Sequence, residues 1–180
     1  QLEALVPGVR GEMRCRIHAH RSDDIMTAVK IAEEFHLDYT IEHCTEGYMI
    51  VDALKRHHVR ATIGPYLWGP EKQELWNMSM ENPGILAQNG IDIALTADDG
   101  SRTAYLPATI GLLLRRGLSE KAAFEGVTIQ PARTLQLEDR IGSLEPGKDA
   151  DIAIFDGHPF SSLSACRMTI IDGKIVHNTL

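Results

Sequence analysis

Short runs of apolar and β-branched residues alternate with segments of helical period four times along this 180-residue chain, and that alternation restricts the fold more than any other feature. Met13-Arg-Cys-Arg-Ile-His18 reads as a strand, and Ser22 to Phe35 as a helix. Ser22 is its expected N-cap, Asp23 and Asp24 suit the positive end of its dipole, and Ile25, Val29 and Ala32 share one face. Asp38 to Glu42 reads as a strand, Tyr48 to His57 as a helix, and Val59 to Ile63 as a strand closed by Gly64-Pro65. Periodicity fades between Tyr66 and Asn82, where Trp68, Trp76, Met78 and Met80 lie among polar residues; a long loop is expected there. Pro83 to Asn89 reads as a short helix stopped by Gly90, and Ile91 to Thr96 as a fourth strand. Helices follow at Leu106–Arg116, at Glu120–Val127 with Ser119 as cap, and around Ala132 and Leu135. Repeated strand–helix order predicts parallel βα units, an α/β fold class.

After Arg140 the texture changes. Gly142, Pro146 and Gly147 mark turns, and Ala150–Phe155 and Met168–Val176 read as strands. Asp172-Gly173 is a hairpin signal, because a two-residue loop needs positive φ at both positions. Two regions are expected: a βα part over residues 1–140 and a small β appendage over 141–180.

Composition narrows the function classes. A net charge of −7 argues against a nucleic-acid partner, because phosphate recognition needs a basic face. No apolar run approaches the roughly 20 residues that span a bilayer, and no basic-then-apolar leader opens the chain. Cys15, Cys44 and Cys166 are odd in number and form no CxxC, so neither a disulfide framework nor a zinc knuckle is expected. A reducing, cytoplasmic setting fits these cysteines.

Chemistry-bearing residues gather where strands end: His18-Ala-His20, Glu42-His43 and Ala97-Asp98. In a βα barrel the carboxyl ends of the strands converge on one mouth, so residues from separate strands meet there. Two imidazoles and a carboxylate suit a divalent metal. Taken singly, each has a plainer explanation. A lone histidine at a strand end is more often a hydrogen-bonded structural residue, and Asp98 alone caps a turn. Recurrence at matching positions favours the metal.

The runs His18-Ala-His20-Arg-Ser-Asp-Asp24, Thr40-Ile-Glu-His43, Thr96-Ala-Asp98 and Arg140-Ile-Gly-Ser-Leu-Glu-Pro-Gly-Lys-Asp-Ala-Asp-Ile-Ala-Ile-Phe155 resemble the latter half of the amidohydrolase superfamily, nearest its imidazolonepropionase-like and prolidase-like members. The resemblance implies strands five to eight of a distorted (β/α)8 barrel with a segment of the flanking β-sandwich. It implies His18 and His43 as metal ligands, and Asp98 as both ligand and proton shuttle. It further implies a metal-activated water attacking an amide, cyclic amide or amidine carbon of a small-molecule substrate. Zinc, iron and manganese all suit that ligand set. His20 and Arg21 would lie at the mouth and contact substrate, although Arg21 could equally pair with Asp23 or Asp24. A prolidase-like dipeptidase and a non-catalytic βα assembly module are the alternative functions.

The first-strand His-x-His pair and the fourth-strand ligand of the family have no counterpart in this chain. The expectation is therefore a fragment, doubtful as a catalyst alone, that docks on its missing amino-terminal half or forms a homo-oligomer. His57-His58 reads as a solvated helix end, and His158 and His177 as residues of the appendage. Trp68 and Trp76 are expected to pack over the barrel. Glu42 is expected to orient His43 or to turn away into a salt bridge. Thr45 and Glu46 are expected near the mouth.

Overall fold

The computed structural model describes residues 2–67, 69 and 72–180. Four parallel strands, β1 (Cys15–Ala19), β2 (Tyr39–His43), β3 (Ala61–Ile63) and β4 (Ile93–Leu95), lie side by side in chain order. Parallel neighbours need crossovers, which here carry the helices α2 (Ser22–Glu34), α3 (Val51–Arg56) and α4 (Asn82–Gln88). A short α1 (Val6–Val9) precedes the sheet, while α5 (Leu106–Leu114), α6 (Glu120–Val127) and α7 (Ile129–Thr134) follow it. A separate antiparallel sheet, β5 (Ile152–Phe155), β6 (Cys166–Ile171) and β7 (Lys174–Asn178), ends the chain.

Register explains the two faces of the parallel sheet. Ile17, Ile41, Ala61 and Ile93 form one row across it, and Ile63 and Leu95 pair in a second. This face meets Ile25 and Val29 of α2, Leu54 of α3, Leu86 of α4 and Ile110 and Leu113 of α5 in the main apolar core. The opposite row runs His18, Glu42, Thr62 and Ala94. It is polar because successive side chains alternate faces and only one is covered by helices.

Two local expectations need correction. Ser22 does not cap α2: Arg21 holds the cap position without a side-chain bond, and the Ser22 N–H donates to Glu46 Oε2 at 2.7 Å. A carboxylate from 24 residues on thus satisfies an orphan donor at the helix start. The helix expected from Tyr48 begins as a 3-10 turn over Gly47–Met49, and α3 starts only at Val51. By contrast Ser119 does cap α6, accepting from the Ala122 N–H at 3.2 Å. Asp172 (φ 50°) and Gly173 (φ 72°) form the two-residue turn between β6 and β7.

Among the described residues, the long segment after β3 holds only a 3-10 turn at Gln73–Leu75. Trp76 is 67% exposed, so it does not pack over the sheet as expected; Trp68 lies outside the described residues. Among the described residues no helix is long and apolar enough to cross a membrane.

Candidate metal centre

His18 lies on the polar face of β1, paired with Glu42 of β2. Strict alternation would send His43, the next residue after Glu42, to the helix-covered face. It does not, because His43 (φ 69°) and Cys44 (φ 43°) adopt the left-handed backbone and break the pleat. Asp98, beyond β4, is left-handed as well (φ 51°). Such conformations cost about 1–2 kcal/mol each for ordinary residues and persist where surrounding bonds enforce them. Here the enforcers are visible. The Cys44 N–H donates to Ala19 O at 3.0 Å, Asn82 Nδ2 donates to Cys44 O at 3.0 Å, and the Asp98 N–H donates to Thr96 Oγ1 at 3.0 Å.

The result is a triangle of imidazoles. Ring centroids of His18 and His20 are 4.7 Å apart, of His18 and His43 4.5 Å, and of His20 and His43 4.6 Å. One potential ligand atom from each lies within 4.8 Å of the others. Among the described residues this is the group of His, Cys, Asp and Glu side chains close enough to hold one ion. Asp98 Oδ2 lies at its edge, 3.9 Å from His43 Nε2. Glu74 Oε1 lies at another edge, 3.8 Å from His20 Nε2.

Hydrogen bonds orient two of the rings. His43 Nδ1 lies 2.6 Å from Gly64 O, and a carbonyl only accepts, so Nδ1 carries a proton and Nε2 is the nitrogen left to serve as a donor atom to a cation. His20 Nδ1 is bonded to Thr45 Oγ1 at 2.7 Å, which leaves Nε2 to face the cluster edge. Partners of this kind on the second ring nitrogen are what fix metal-binding imidazoles. Burial, then the neighbouring His43, pushes His20 down to about 4 and lowers His18 in the same direction. Neutral rings at neutral pH are what a cation requires of its nitrogen donors.

Of the residues singled out in the sequence, His18, His20 and His43 come together and Asp98 borders them. Arg21 goes elsewhere: its Nε donates to Asp23 Oδ1 at 3.0 Å, the salt-bridge alternative. Glu42 does not orient His43. It accepts from Arg16 Nε at 2.9 Å and Nη2 at 2.6 Å, and from the Thr40 and Thr62 hydroxyls. Burial pushes its carboxyl up, but Arg16 and the two hydroxyls outweigh that and hold it below the usual range. Thr45 and Glu46 are both buried near the cluster, Thr45 holding His20 and Glu46 tying α2 to Asn77. His57 bonds Glu33 and His158 bonds Glu120, so neither joins the centre. The Gly64 carbonyl and Glu74 escaped the sequence reading, since no spacing signals them, and Thr45, expected near the mouth, was not read as the partner of His20.

A model of the amidohydrolase family matches residues 9–177. The chain belongs to that family. Amidohydrolases depend on a metal, and the imidazole triangle fits that requirement. The chain is similar to an amidohydrolase from Thermotoga maritima MSB8, with TM-score 0.94 and 38% identity over 99% of this chain and 47% of that one. It is 41% identical to adenine deaminase 2 of Jannaschia sp. (strain CCS1) over 88 residues, 46% of this chain and 14% of the relative. It is 35% identical to the imidazolonepropionase of Geobacillus thermodenitrificans (strain NG80-2) over 103 residues, 52% of this chain and 24% of the relative. This amidohydrolase chain thus spans about half of the matched structure and a quarter or less of the other two.

Proposed function

We propose that residues 1–140 supply strands five to eight of a (β/α)8 barrel, and residues 141–180 a segment of the flanking β-sandwich, in a metal-dependent hydrolase of carbon–nitrogen bonds. The substrates are small molecules with an amide, cyclic amide or amidine carbon, the chemistry named for the adenine deaminase and imidazolonepropionase relatives. The observation that carries the reading is the imidazole triangle with Asp98 at its edge, built at the carboxyl ends of parallel strands.

His18 and His43 are the proposed ligands with Asp98, and zinc is the first choice of ion, with iron and manganese suited to the same donors. His20, expected at the substrate, joins the donor set, because its ring completes the triangle and is 4% exposed. A divalent ion held by these residues would supply Lewis acidity and would lower the pKa of a bound water from about 15.7 to about 7. Asp98, 55% exposed at the mouth, takes the proton of the attacking water and returns it to the departing nitrogen. Gly64 O and Thr45 keep His43 and His20 facing the reacting centre.

Metal analysis tests the binding half of this reading: zinc should co-purify with the chain, and His18→Ala or His43→Ala should remove it. In the complete protein that carries this chain, Asp98→Asn should lower turnover at least about 100-fold while zinc stays bound. Turnover that survives Asp98→Asn would remove Asp98 from the proton transfer.

A further inference from the structure

Residues 72–81, before α4, reach back toward the imidazoles as a strap, and side-chain hydrogen bonds set their path. Asn77 Nδ2 donates to Glu46 Oε1 at 2.8 Å, Tyr48 Oη donates to Asn77 O at 3.0 Å, and Tyr66 Oη donates to Ser79 O at 3.3 Å. Leu75 is buried within the 3-10 turn, which turns its neighbour Glu74 toward the imidazoles. Glu74 Oε1 lies 3.8 Å from His20 Nε2 and 3.4 Å from Lys72 Nζ. Among the described residues its carboxylate accepts no hydrogen bond, and its charge is met by the Lys72 ion pair.

We propose that Glu74 is a strap-borne ligand to the cation held by the imidazole triangle, at its His20 edge. The inference rests on the metal-binding reading above and extends it. Zinc bonds to imidazole nitrogen and carboxylate oxygen run about 2.0–2.2 Å, so two donors of one ion lie at most about 4.2 Å apart. The Glu74–His20 separation of 3.8 Å falls inside that limit, as does the Asp98–His43 separation of 3.9 Å. Each carboxylate thus lies within reach of an ion shared with its adjacent imidazole, and side-chain rotation closes the rest of the set, whose imidazole donor atoms lie within 4.8 Å of one another. Three neutral nitrogens carry no charge to offset a divalent ion, and a second carboxylate lowers the cost of holding it in a partly desolvated place. Lys72 competes for the same oxygen. Removing that ammonium frees Glu74 for the ion.

Zinc titration of this 180-residue chain, with competition by a chelator of known affinity, tests the assignment. Glu74→Gln should weaken zinc binding about tenfold or more, the scale on which metal-site partners act. Lys72→Gln should tighten it about threefold, by removing an opposing charge next to the carboxylate. The cobalt-loaded chain should change its visible absorption on Glu74→Gln, because loss of a carboxylate ligand alters the ion's geometry. An ion pair that merely steadied the strap predicts instead that both substitutions weaken zinc alike. That outcome, or zinc affinity and cobalt absorption unmoved by Glu74→Gln, overturns the proposal. Weakening by His18→Ala and His43→Ala but not by Glu74→Gln would remove Glu74 and leave the underlying centre. Unchanged affinity in His18→Ala and His43→Ala, or no zinc bound to the parent chain, would remove both.

Discussion

His20 is where chemistry and stability are coupled at a single side chain. Its ring is held neutral by burial, first, and by His43, with its value pushed to about 4. In the unfolded chain the same ring titrates near 6.5, so the unfolded state binds a proton first as pH falls. The stability contributed by neutral His20 is complete above about 6.5 and is lost between there and about 4. Urea denaturation of the metal-free chain should therefore lose on the order of 2–3 kcal/mol across that window, and His20→Asn should flatten the loss. A slope that survives the substitution would move the origin to other groups. Glu42 acts in a lower window. Its carboxyl is held below the ordinary value in the folded state, so its stabilisation is present above the unfolded value and disappears as pH falls through the folded one. Glu42→Gln should cost about 2 kcal/mol at pH 7, less than a fully buried pair because the Arg16 side chain is 53% exposed.

The ends of β3 and β4 are bound together at one point. Gly64 has φ 126°, and a Cβ there would lie 2.2 Å from the Thr96 carbonyl oxygen. No side chain fits that approach without parting the two strand ends. The same residue's carbonyl orients His43 from 21 residues away, and Thr96 holds the Asp98 N–H. Gly64→Ala should therefore destabilise the fold and weaken zinc binding together, by at least about 2 kcal/mol in stability. Denaturation and zinc titration of the same preparation check both effects. Loss of stability with zinc affinity retained would show that His43 keeps its orientation without that carbonyl. The strap over residues 72–81 is an element in the same sense, since side-chain hydrogen bonds rather than a regular backbone ladder define it.

Purely parallel sheets are ordinarily covered on both faces, yet here Arg16 and His18, on the polar face of β1, are exposed while the opposite face is packed. The outer strands β1 and β4 carry unpaired edges, which are templates for further strands. The antiparallel sheet adds Ile171, Ile175 and Val176, each more than half exposed. Surfaces of this kind mark association. Sedimentation velocity should show concentration-dependent self-association of the isolated chain, and addition of the amino-side half of the barrel should replace it with a one-to-one complex. A compact monomer at tens of micromolar, about the range in which such contacts act, would count against the half-barrel assignment.

Strand and helix order, the hairpin at Asp172-Gly173 and the cap at Ser119 were legible in the residues, because each depends on neighbours within a few positions. The histidines and Asp98 were legible as candidates for the same reason: strand ends can be read from periodicity, and these residues stand there. Their meeting was expected from the barrel resemblance, but the local geometry that produces it was not legible. His43 turns inward through a left-handed backbone that alternation contradicts, and Gly64, Thr45 and Glu74 reach the centre across 21, 25 and 54 positions of chain. Local periodicity encodes which face a residue takes within a regular element. Only the packed arrangement of loops at the strand ends decides which donors share one point in space, since those contacts exist nowhere along the chain until it is folded.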